Sequence, residues 1–93
     1  MIRSFADRNT QAIFEQRLPK GVGRDVAQAA LRKLLILHAA HALEDLRVPP
    51  GNRLEALRGD RAGQHSIRVN DQWRLCFVWQ NGHALAVELV DYH

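Results

Sequence analysis

Arg74 interrupts an otherwise hydrophobic run from Trp73 to Trp79, where a permanent positive charge needs either a partner or a task. Its guanidinium is a flat fork of donors that matches a phosphate or a carboxylate along two directions at once. Of the 13 basic residues 11 are Arg, with Lys20 and Lys33 the only lysines. That bias suits nucleic acid, and equally suits a GC-rich coding sequence. His93 closes the sequence just after Asp91 and Tyr92. Negative charge beside an imidazole, here Asp91 and a terminal carboxylate, favours the protonated ring that an acid catalyst needs. A histidine at a chain end is also commonly frayed and without function. Glu55 could serve as a base or be a solvated surface charge. Arg58 and Arg74 could hold a phosphate or simply pair with Asp60 and Asp91.

Weaker signals surround these. Arg68, close to Ser66 and His65, could contact a phosphate or form a surface ion pair. Arg61 lies between Gly59 and Gly63 in what reads as a structured turn, from which it could touch RNA. Tyr92 could stack on a base, as aromatic rings do in RNA sites, or close the core. His38 and His41 have a spacing that could begin a metal site, but no third ligand is suggested, and packing at the core edge is the simpler reading. Cys76 sits within an apolar strand pattern without a base nearby in sequence and reads as a small core residue.

The elements that must position these groups change period midway. Met1 to Phe5 reads as a short strand. A helix begins around Asp7 or Asn9, either a suitable N-cap, carries Ile13 and Phe14 inward, and stops before Pro19. A longer helix, about Asp25 to Ala42, places Val26, Ala29, Ala30, Leu34 and Leu37 on one face, widened by Leu31, Leu35 and Ile36. Pro49-Pro50-Gly51-Asn52 is expected to end all helical character. Alternation then predicts strands over 53–58, 64–70, 73–79 and 84–90, with Trp73, Leu75, Phe77 and Trp79 on one face. Asn70-Asp71-Gln72 and Gln80-Asn81-Gly82-His83 read as hairpin connections, the second with an Asn-Gly pair that readily takes positive φ. Two helices and an antiparallel meander make an α+β domain with the helices on one sheet face.

Ninety-three residues form one domain, 1–93, with a modest core and a site that must lie on the surface or in a shallow groove. No apolar run approaches the roughly 20 residues of a membrane span, and the opening Met1-Ile2-Arg3-Ser4-Phe5 lacks the apolar centre of a signal peptide. A lone cysteine forms no internal disulfide and fits a reducing cytoplasm. These features predict a cytoplasmic protein with no membrane association. No repeat or low-complexity segment is present.

Leu54-Glu55-Ala56-Leu57-Arg58-Gly59-Asp60-Arg61-Ala62-Gly63, then Ser66-Ile67-Arg68-Val69-Asn70, then Trp73-Arg74, closely resembles the HigB family of killer toxins. The ending Asp91-Tyr92-His93 and the opening Met1 to Phe5 fit the same family, with the GraT branch most similar. The resemblance implies a RelE-like fold and a toxin of a type II toxin–antitoxin pair. It also implies a HigA-like helix-turn-helix antitoxin, through whose complex alone operator DNA is bound. It further implies cleavage of mRNA in the ribosomal A site, with the ribosome and mRNA as partners and no metal or other cofactor.

HigB toxins usually carry His where this chain has Glu55, and Lys where it has Arg58. The related YoeB toxins have a Glu-Pro-Leu-Lys segment aligning with Glu55-Ala56-Leu57-Arg58. There the Glu is a general base, an Arg aligned with Arg74 steadies the phosphate, and a His aligned with His93 is the acid. The resemblance thus assigns Glu55, Arg58, Arg74, Asp91, Tyr92 and His93 to a catalytic constellation, with Arg61 and Arg68 as RNA contacts. Metal-free RNA cleavage by the 2′-hydroxyl has three tasks: a base for the 2′ proton, a cation for the phosphoryl oxygens and an acid for the departing 5′ oxygen. Glu55, Arg58 with Arg74, and His93 match them in that order. Two other readings are a ParE-like toxin directed at DNA gyrase, which has no use for an acid–base pair, and an RNA-binding module with degenerate catalytic residues.

Overall fold

The computed structural model describes residues 1–92. Helix α1 spans Arg8–Phe14 and α2 spans Arg24–Ala39, and both pack on an antiparallel sheet of strands β1 (Glu55–Ala56), β2 (Gln64–Arg68), β3 (Trp73–Gln80) and β4 (His83–Asp91). The strands lie in sequence order. This is the α+β arrangement that the change of period predicts.

Asp7 starts α1, accepting from the Thr10 amide at 3.2 Å and from the Thr10 hydroxyl at 2.5 Å. Thr10 is fully buried, and its hydroxyl oxygen in turn accepts from the Leu89 amide at 2.9 Å. One capping interaction therefore also fastens α1 to β4. The helix ends at Phe14, shorter than the stretch up to Pro19, because Gln16 takes a left-handed backbone (φ 64°). Leu34 and Leu37 of α2, with Ile13 of α1, meet Ile67, Leu75, Phe77, Ala84 and Val87 of the sheet in a core closed to solvent.

Beyond α2 the chain departs from expectation. The helix stops at Ala39 rather than Ala42, and the Asp45 carboxylate accepts from the amides of His41 (2.9 Å) and Ala42 (3.0 Å). This starts a 3₁₀ turn, Leu43–Arg47, that buries Leu46. Helical character persists past Pro49 as well, in 3₁₀ turns at Pro50–Asn52 and Gly59–Arg61. Both lack the repeated apolar positions by which a sequence announces a helix. They flank β1 and confine it to Glu55–Ala56, where alternation predicts a strand over 53–58.

Met1 to Phe5 runs parallel to β4 and, among the described residues, forms two isolated bridges with it, Ile2 to Ala84 and Phe5 to Val87, rather than a continuous strand. A bulge explains the interruption. Ala86 has φ 52°, the β3–β4 register shifts between Cys76 and Val78, and the Ala86 amide turns to the Ser4 hydroxyl at 2.8 Å. His38 tethers the same segment, its Nδ1 accepting from the Ile2 amide at 3.1 Å. Its ring also packs 5.2 Å from the Phe14 ring, the core-edge position expected of it, whereas His41, for which the same was expected, is exposed.

Candidate active site

Cross-strand partners share a face of the sheet. The register aligns Glu55, Ser66, Cys76 and Glu88 in one row, and Arg68, Arg74 and Val90 in the next. Ile67, Leu75 and Leu89 alternate with them and face the helices, so the polar rows occupy the opposite face. A charge within the apolar β3 pattern is thereby explained: Arg74 points away from the core that its neighbours build.

Arg74 is nonetheless only 7% exposed. Its Nε donates to Ser66 Oγ at 2.8 Å, and its Nη2 donates to the Arg53 carbonyl at 2.6 Å. The Tyr92 ring lies 5.7 Å from the guanidinium carbon, a cation–π contact. Glu55 Oε1 stands 3.8 Å from Nη2, too far for the 2.7–2.9 Å of a typical charge-assisted hydrogen bond. Arg53, Glu55, Arg68, Asn70, Asp71, Arg74 and Tyr92 line a groove of about 170 Å³. Through Glu55 and Tyr92 it adjoins a wider depression of about 650 Å³ that Ala56, Leu57 and Arg58 complete.

Of the residues singled out by sequence, Glu55, Arg74 and Tyr92 therefore converge, with Arg58 exposed in the adjoining depression and Arg68 on the groove wall. Arg68 is paired with Asp71. Arg61 lies elsewhere on this face, its Nη1 3.1 Å from both Gln64 Oε1 and Glu88 Oε1. It bridges side chains of β2 and β4 across the intervening β3. Asp91 pairs in register with Trp73, on the face opposite Arg74, and accepts from Gln72 Nε2 at 3.1 Å. His93 lies outside the described residues. Cys76 is fully buried, and burial pushes its thiol above the ordinary range, with Arg61 nearby acting in the opposite sense.

Three contributors escaped sequence reasoning. Arg53 follows a Pro-Gly turn and joins the groove only because its backbone is left-handed (φ 46°, ψ 57°). Ser66 is a small polar residue in a strand, without a local signal of its partner. Asn70 reads merely as a hairpin residue; its side chain accepts from the amides of Gln72 (2.9 Å) and Trp73 (2.8 Å) and shapes the turn beside the groove. Such Asx turns are the one signal that could have marked it.

Among the described residues no group of three His, Cys, Asp or Glu side chains could hold a metal ion. A more apolar groove of about 260 Å³ lies between α1 and α2, lined by Ile13, Leu18, Ala27 and Leu31 together with Arg and Gln side chains. It contains no acid–base pair, so the candidate chemistry belongs to the groove at Arg74.

The model of a family described as the RelE-like toxin of type II toxin–antitoxin system HigB matches residues 3–93. Toxin HigB-1 of Vibrio cholerae serotype O1 is 44% identical over 86 residues, spanning 91% of this chain and 90% of that protein. Endoribonuclease HigB of Proteus vulgaris is 31% identical over 93 residues and is covered end to end, as is this chain. A chain of the YoeB–YefM complex from Staphylococcus aureus shares the fold, with a TM-score of 0.61 at 14% identity, covering 100% of this chain and 98% of that one.

Proposed function

Because the chain belongs to the HigB-like family of RelE-like toxins of type II toxin–antitoxin systems, we propose that it is an endoribonuclease that cuts mRNA on the ribosome, with its active site in the groove at Arg74. The observation that carries this reading is the convergence of Glu55, Arg74 and Tyr92: a carboxylate 3.8 Å from a largely buried guanidinium, beneath an aromatic ring. A base beside a phosphate-binding cation is the minimum that 2′-hydroxyl attack needs.

In this mechanism Glu55 removes the 2′ proton as the 2′ oxygen bonds to phosphorus. Arg74, assisted by Arg58, stabilises charge on the phosphoryl oxygens. His93 protonates the 5′ oxygen as its bond to phosphorus breaks, leaving a 2′,3′-cyclic phosphate and a 5′-hydroxyl. Side chains fill all three tasks, and the chemistry calls for no metal. Tyr92 stacks on a base, Asp91 supports the protonated His93, and Arg61 and Arg68 contact RNA backbone, for which each exchanges its present carboxylate partner. A HigA-like helix-turn-helix antitoxin neutralises the toxin and carries it to operator DNA, and the setting is the cytoplasm.

Primer extension on an mRNA translated in an extract tests this reading. The wild type should produce discrete cleavage sites, while Glu55→Gln and His93→Ala should each lose roughly 10²–10⁴-fold in cleavage, the contribution of one positioned acid or base. Toxicity that persists without cleavage would favour a non-nucleolytic action such as the gyrase-directed one.

A further inference from the structure

Arg74 carries a long side chain, and a cation so mobile reaches a phosphate productively only if something holds it. The described residues that do so are neutral. Ser66 on β2 is fully buried, and its hydroxyl takes the Nε hydrogen at 2.8 Å. The carbonyl of Arg53 takes Nη2 at 2.6 Å, and the Ser66 carbonyl lies 3.4 Å from the same nitrogen. Nη1 makes no hydrogen bond among the described residues. The Arg53 carbonyl is itself placed from below. Asn52, fully buried, donates to the carbonyls of Leu46 (3.2 Å) and Val48 (3.3 Å), and the left-handed turn follows directly.

We propose that Ser66 is a positioning residue for Arg74: its buried hydroxyl, with the Arg53 carbonyl, holds the Nε side of the guanidinium so that Nη1 remains for a phosphoryl oxygen. The clamp also keeps Arg74 apart from Glu55. At 3.8 Å the two are near enough to attract and too far for a tight pair. Without the hydroxyl, Nε loses its partner and the guanidinium swings onto Glu55, so that base and phosphate-binding cation occupy one another. The proposal rests on the reading of Arg74 as the phosphate contact, and its test separates the two.

Wild type, Ser66→Ala, Arg74→Ala and the double variant, each purified from its antitoxin complex, are compared for cleavage rate in a translation extract across a range of mRNA concentrations. Misplacement of a group by about 1 Å can cost up to roughly 100-fold, so Ser66→Ala should lower the maximal rate by about 10-fold or more, with little change in half-saturation. Arg74→Ala should lose on the order of 10²-fold or more. The double variant should be no slower than Arg74→Ala, because the hydroxyl acts only through the guanidinium. Ser66→Thr, which keeps the hydroxyl, should retain most of the activity.

Wild-type cleavage by Ser66→Ala beside an inactive Arg74→Ala overturns the clamp and leaves the reading of Arg74 standing, and multiplied losses in the double variant do the same. Wild-type cleavage by Arg74→Ala overturns both. Should Ser66→Ala melt below the assay temperature, the Nε–H resonance of Arg74 in the wild type decides. Protection from solvent exchange supports the clamp, and exchange at the rate of a free guanidinium sinks it.

Discussion

At the scale of single residues, Arg74 shows how neutral oxygens can hold a nearly buried charge, with the Glu55 carboxylate standing 3.8 Å away. Hydrogen bonds to charged donors are worth about 1.5–3 kcal/mol each, and the hydroxyl and carbonyl that receive Arg74 supply two of them. Lysine cannot reproduce that pattern, since its three N–H bonds diverge from one nitrogen, whereas Arg74 meets its two acceptors through Nε and Nη2 and presents a third nitrogen on the other side of a flat fork. Arg74→Lys is therefore expected to recover only part of the cleavage lost in Arg74→Ala, while both variants still form the antitoxin complex. Cleavage and complex formation measured side by side check this, and an Arg74→Ala protein that melts instead would assign the residue to stability. Cys76 makes the opposite case. Its raised thiol pKa and complete burial keep it protonated and shielded, so an alkylating reagent at pH 8 should leave it unmodified in the folded protein and label it fully in denaturant. Rapid labelling of the native state would contradict this.

At the scale of elements, the Asp45 carboxylate organises the passage from α2 to the groove. It holds the amides of His41 and Ala42, starts the turn that buries Leu46, and through the Leu46 carbonyl supports Asn52 and hence Arg53. Those two amides hold its pKa below the ordinary carboxylate value. A group whose folded pKa lies below its unfolded one stabilises the fold fully above the unfolded value, about 3.9 for aspartate, and loses that contribution as the pH falls through the folded value. Asp45→Ala should accordingly melt lower than the wild type at pH 7, with the gap closing as the pH is taken below about 3.9. Thermal melts of both proteins across that window test the sign. A gap that stays constant or widens towards acid would be the wrong one.

At the scale of the whole molecule, a domain with extents of 31 × 26 × 26 Å offers RNA only an open surface. The groove of about 170 Å³ at Arg74 and the depression of about 650 Å³ beside it are both open to solvent rather than enclosing. Ordering the 2′-hydroxyl in line with the scissile bond can be worth about 7–11 kcal/mol. A ribosome that already constrains the mRNA removes that burden. Cleavage should therefore be clear during translation and weak or absent on protein-free mRNA, and equal rates on the two substrates would refute ribosome dependence.

Several features were legible in the chain because their causes are local. Asp7 as an N-cap, the apolar stripe of α2, the alternation of β3 and the positive φ of Asn81 (53°) and Gly82 (80°) in the β3–β4 hairpin all arise from near neighbours. Glu55, Arg74 and Tyr92 could likewise be named from the sequence, since a misplaced charge and a family resemblance mark them. What held them was not legible. Ser66 reaches Arg74 from eight residues away, Arg53 from 21, and Arg61 meets Glu88 across 27. Such partnerships depend on how the strands and the turns between them come together, and a slip of one residue in register would turn Ser66, Arg74 or Glu88 to the other face. Periodicity records which residues alternate, whereas only the assembled sheet decides which of them meet. The amino-acid sequence thus marked the main helices and strands and named the candidate site residues, and the tertiary structure decided which neutral oxygens hold Arg74 and how far from it Glu55 stands.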